Sequence, residues 1–139
     1  MATFTRRELT KALQSRLDGF LFEHGFTRFV ARIESFTRTF PGGLQMLGFR
    51  IAKYVEWQVE IVANVRFDAI DDAFDRYFPG FREPIPQPYR YSVSATMNGI
   101  PHRGGPIYGW DISSEGDVER AAGDMKDKIS EIILPFFQS

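Results

Sequence analysis

Residues 98–110, NGIPHRGGPIYGW, gather the groups best suited to chemistry: His102, Arg103, Tyr108 and Trp110, set among glycines and prolines. An imidazole titrates near neutral pH, so it can move a proton or meet an anion. His102 has no histidine or carboxylate three or four positions away, however, and the only other histidine, His24, stands just before Gly25 at the end of a helical pattern. There it faces the negative end of a helix dipole, which accounts for it without catalysis. The acidic run Asp71, Asp72 and Asp75 lacks the alternating oxygen ligands and the glycine turn of a calcium loop, and reads as a solvated helix start. Ser113-Ser114 has no nucleophile-elbow context, and capping explains it better. PGGLQMLG and NGIPHRGG both miss the phosphate-loop pattern. With no cysteine, disulfides, thiolate zinc sites, iron–sulfur clusters and cysteine nucleophiles are excluded. No catalytic residue, metal site or cofactor is expected.

What remains is a polar surface. In EWQVEIVANVRF, Trp57, Val59, Ile61, Ala63, Val65 and Phe67 alternate with Gln58, Glu60, Asn64 and Arg66, the pattern of a strand buried on one face. YRYSVSATMN alternates likewise. Arg50, Glu60, Asn64, Arg90 and Asn98 therefore belong to one polar sheet face, rimmed by the loop that carries His102, Arg103, Tyr108 and Trp110. Tyr, Trp and Arg are the side chains that most often anchor protein interfaces, although Trp110 serves equally well as core. The first reading is a non-enzymatic binding module whose partner is another protein. The second is a small enzyme or anionic small-molecule-binding domain, in which His102 and Arg90 or Arg50 face the anion. Arg32, Glu34, Phe36, Arg38 and Phe40 could stack bases, but net charge is −1 and no recognition motif accompanies them, so nucleic acid is not an expected partner.

These residues need a frame. Thr5-Arg6-Arg7-Glu8 has capping-box spacing, and Leu9, Leu13, Leu17, Phe20 and Leu21 follow at helical intervals up to Gly25. RFVARIESFTRTF, turn PGG and GLQMLGFRIAKYV predict a β-hairpin, and EWQVEIVANVRF a third strand. DAIDDAFDRYF predicts a short helix capped by Asp68, with Ile70, Phe74 and Tyr77 sharing a face, and REPIPQP an extended connector. Strands follow at YRYSVSATMN and IYGWDI. Ser114 then caps a last helix striped by Val118, Ala122, Met125, Ile129, Ile132, Ile133 and Phe136, which Pro135 should end or distort.

The order α-β-β-β-α-β-β-α predicts an α+β two-layer domain spanning 1–139, an antiparallel sheet of about five strands with the N- and C-terminal helices on one face. Fourteen phenylalanines suit a sheet packed under helices. Residues 1–66 carry ten Lys/Arg against six Asp/Glu, and residues 67–139 seven against twelve. The start of the chain lacks a signal-peptide core and no apolar run reaches bilayer length, so a cytoplasmic protein without a membrane partner is expected. An unpaired outer strand leaves room for a homodimer.

The helix ending in HGF, the strands SFTRTF and LQMLGFRIAKYVEWQVEIVANVRF, and Trp110 followed by a helix ending in LPFF resemble a bacterial family of small uncharacterised proteins, domain of unknown function 4304. The resemblance spans roughly residues 8–137 and rests on diffuse patterns; relatives tend to carry Gln-Ser or Gln-Lys where this chain has Phe49-Arg50-Ile51. It implies an α+β fold and no established activity. Proteins of this size and architecture also look like the immunity proteins encoded beside bacterial toxins, which act by binding a partner; that likeness is one of fold alone.

Overall fold

A computed structural model describes residues 4–79, 91–100 and 109–138. Helix α1, Arg6–Glu23, starts as its capping box requires: the Glu8 amide donates to Thr5 Oγ1 (3.1 Å) and the Thr5 amide to Glu8 Oε1 (2.9 Å). The bond from the Thr5 amide holds the Glu8 carboxyl below its ordinary range. Leu9, Leu13, Leu17 and Leu21 are fully buried along one stripe. The helix stops where Gly25 turns to a φ of 89°, letting the Phe26 amide reach Leu21 O (2.9 Å) and the Gly25 amide reach Phe22 O (3.0 Å). This pairing satisfies the last free carbonyls and folds Phe26 back into the core.

Among the described residues, six antiparallel strands form one sheet: β1 Arg28–Val30, β2 Ser35–Phe40, β3 Gly43–Lys53, β4 Trp57–Phe67, β5 Val93–Thr96 and β6 Trp110–Ile112. The first five lie in sequence order, and β6 pairs with β4 further along the edge that β5 also uses. The run from Phe29 to Phe40 departs from the single strand its alternation predicts. A 3₁₀ turn at Ala31–Ile33 breaks it, and Glu34 adopts a left-handed φ of 48°, so that β1 folds back on β2. The cause lies in α1, where Arg6 and Thr10 hold the Glu34 carboxylate. β5 is likewise shorter than predicted, because the Gly99 amide donates to Thr96 Oγ1 and starts a 3₁₀ turn, Met97–Gly99.

The last helical segment comprises α3 Glu115–Lys128, a wide π turn Ile129–Ile133 and α4 Leu134–Gln138. Ser114 caps it as predicted, accepting from the Asp117 amide, while the Asp117 carboxylate accepts from the amide and hydroxyl of Ser113. Those bonds hold the Asp117 carboxyl below its usual range. Pro135 distorts the helix without ending it. Its ring removes one amide, and the preceding turn widens so that the Leu134 amide reaches back five residues to Ile129 O.

Both terminal helices pack on one face of the sheet. Leu13, Leu17, Val118, Met125, Ile129 and Ile133 meet Phe36, Leu47, Phe49, Ile51, Val59, Ile61 and Ala63 in a continuous core. Arg16 ties the helices together through Glu115 and Glu119. An added Cβ at Gly19 or Gly123 meets no atom within 4 Å. Gly19→Ala and Gly123→Ala are therefore each expected to stabilise by about 0.5–1 kcal/mol, the helix-interior cost of glycine, and thermal unfolding will show it as a raised Tm.

Candidate functional site

Residues paired across an antiparallel ladder point to the same face. The register Arg50↔Glu60, Met46↔Asn64, Leu44↔Arg66, Ser94↔Asn64 and Asp111↔Gln58 thus turns one set of side chains away from α1 and α3. Arg50, Glu60 and Asn64 do share this outer face. Arg50 Nη1 lies 3.9 Å from Glu60 Oε2 with its side chain mostly in solvent, a pair worth at most about 1 kcal/mol.

Part of the outer face is covered. Ser35, Thr37, Leu44 and Met46 are buried there, and helix α2, Asp68–Tyr77, is tied to it through Arg66. The Arg66 side chain, only 12% exposed, reaches Asp68 Oδ1 with Nε and Asp71 Oδ2 with Nη2, both at 3.4 Å. Asp71 is completely buried, so it is not part of a solvated helix start as its acidic neighbours suggest. Nor does Asp68 cap the helix: Phe67 occupies that position without a side-chain cap, while the Asp68 amide donates to Gly42 O at 2.9 Å. Asn64 Oδ1 lies buried on the same face with no hydrogen-bond partner among the described residues.

This anchor inverts α2. A surface helix ordinarily buries its apolar stripe and exposes its charges. Here an aspartate is buried while Ile70 is 52% exposed, Tyr77 73% and the following Phe78 57%. Phe74 stands between them, its ring 5.1 Å from that of Phe78. Ile70, Phe74 and Tyr77 follow one another at i, i+4 and i+7 on one side of the helix, while Asp68 and Asp72, two positions either side of Ile70, lie on the other.

Trp110 does not join this face. In β6 it pairs with Val59, packs against the core on the helix side, and donates from Nε1 to Asp124 Oδ2 of α3 (2.8 Å). Its indole is a tie between sheet and helix. The backbone of Asn98 sits in the 3₁₀ turn after β5. Arg90, His102, Arg103 and Tyr108 lie outside the described residues. The arginine–aromatic set of the first hairpin also divides. Phe36 is core, and Arg38 donates to His24 O (2.7 Å) and to Gln45 Oε1 (2.8 Å) with its guanidinium over the Phe26 ring. Burial lowers the affinity of Arg38 for its proton, but these acceptors and the ring face accommodate the charge. Arg38 is thus committed to the frame.

Residue-type reasoning missed the Arg66–Asp71 anchor and the exposed edge it creates. The available signal was positional: an arginine closing a strand, with aspartates two and five residues later. Among the described residues no group of three His, Cys, Asp or Glu side chains could hold a metal ion, and no helix is long and apolar enough to cross a membrane. No protein-family model matches the chain, and neither the curated proteins nor the solved structures searched contain a match.

Proposed function

We propose that this chain is a non-enzymatic protein-binding module, an immunity-like or accessory factor of the cytoplasm, that engages its partner through α2 and the adjoining outer face of the sheet. The observation that carries the reading is the inverted helix. Ile70, Tyr77 and Phe78 are large apolar side chains held in water by a buried ion pair, and such clusters on a folded protein mark interaction sites. Ile70, Phe74 and Tyr77 have the spacing of the helix-in-groove mode, in which anchors at i, i+4 and i+7 enter an apolar groove. The partner is accordingly a protein with an apolar groove. Arg50 and Glu60, mutually paired and solvated, serve as polar rim.

The test is co-expression with the products of neighbouring genes, followed by titration calorimetry on any complex. The double variant Ile70→Asp, Tyr77→Ala should raise Kd at least about 30-fold, corresponding to ~2 kcal/mol for hot-spot side chains. Unchanged affinity removes α2 from the interface. Self-association that disappears in the same variant would identify the occupant as a second copy of the chain.

A further inference from the structure

We infer a second, separate binding site, for a small anionic molecule with an apolar body, in the cleft between the first turns of α1 and the β1–β2 hairpin. This cleft has a volume of about 570 Å³ and is lined by Arg6, Arg7, Lys11 and Arg32, with Phe29 and Ala31 among its apolar walls. That volume falls in the range of small-ligand sites. Four cations converge on it in a chain whose net charge is −1.

Among the described residues, only Arg6 of the four is neutralised. Glu34 accepts from Arg6 Nη2 (2.6 Å) and Nε (3.3 Å) and from Thr10 Oγ1 (2.9 Å), while Arg6 Nη1 donates to Ile51 O. Burial pushes the Glu34 carboxyl upward, but its bonds to Arg6 and Thr10 outweigh this and hold it below its ordinary range, so the wall stays ionised. Arg7, Lys11 and Arg32 make no ion pair among the described residues. Arg7 and Lys11 stand one helical turn apart, where like charges disfavour the helix. Arg32 joins them only because the 3₁₀ turn and the left-handed Glu34 bend the hairpin toward α1. A non-glycine residue in that conformation persists where surrounding bonds hold it, and such residues cluster at ligand sites. The capping box and the Arg6–Glu34 pair fix the walls in advance, which lowers the ordering cost of binding.

Three uncommitted cations beside an aromatic ring match a ligand in which a phosphate or similar anion is attached to an aryl or alkyl group. Phenyl phosphate is the direct probe, with inorganic phosphate and phenol as its two halves. In amide NMR titrations of the isotope-labelled chain, phenyl phosphate should give saturable shifts confined to residues 6–14 and 29–34. It should bind at least about fivefold more tightly than inorganic phosphate, and phenol should not bind. Lys11→Glu combined with Arg32→Glu should weaken it more than about tenfold, with the spectrum itself reporting that the fold is intact. Arg120→Ala, on α3 outside the cleft, should leave binding unchanged. Equal affinity for inorganic phosphate, shifts outside the cleft, undiminished binding by the double variant, or no saturation would each overturn the inference. None of these outcomes involves α2, so this site and the docking surface fail or stand separately.

Discussion

Gly43→Ala is expected to destabilise the chain by more than about 4 kcal/mol. A Cβ added at Gly43 would lie 1.7 Å from Arg66 O and 2.8 Å from its carbonyl carbon. Both are backbone atoms of the neighbouring strand, so no side-chain rotation relieves the overlap. The only escape is to part β3 from β4 at the Gly43↔Phe67 end, which also breaks the bond from the Asp68 amide to Gly42 O that starts α2. The loss should exceed about 4 kcal/mol, a large share of the 5–15 kcal/mol that holds a domain together. Gly42→Ala is the control one residue earlier: its Cβ would meet the Phe40 ring at 3.1 Å, and the ring can give way. Circular dichroism with urea unfolding separates the two. A cooperative Gly43→Ala transition within about 1 kcal/mol of the parent would show that this end of the sheet is looser than described.

Asp71→Ala should cost about 3–5 kcal/mol, the penalty for removing one member of a buried ion pair. Among the described residues Arg66 would keep only Asp68, which is largely in solvent, while its own side chain stays 12% exposed. Because that pair links α2 to the sheet, hydrogen exchange should accelerate across residues 68–77 before the remainder of the molecule opens. Asp72→Ala, on the exposed side of the same helix, should change stability by less than about 0.5 kcal/mol. Similar costs for the two aspartates would contradict the inversion of α2.

Much of the frame could be read from sequence because its determinants are local. The Thr5–Glu8 box, the leucine stripe, the Gly25 stop and the Ser114 cap each depend on residues within one or two turns of one another. The α+β order and the helix face of the sheet followed from changes of period. Three features were hidden because distant residues set them. Glu34 turns the chain only because Arg6 and Thr10, 28 and 24 positions away, hold its carboxylate. Trp110 faces the helices because β6 pairs with β4 in a register that matches it to Val59, and a slip of one residue would put it on the outer face. Asp71 and Asp72 are equivalent as letters; the position of Arg66 on the outer face decides which is buried. The polar stripe was recognised, but the apolar edge beside it was invisible until the buried aspartate showed which way α2 is turned.

Position-specific photo-crosslinking in cells that naturally express the chain tests the central claim, that the inverted edge of α2 meets a partner protein. A benzophenone amino acid would replace Tyr77, with a control at Phe22, which is also well exposed but lies on α1. One discrete protein adduct is expected at Tyr77, absent from Phe22 and lost when Ile70→Asp is added. Adducts of equal yield at both positions, or an adduct at Tyr77 that survives Ile70→Asp, would contradict it.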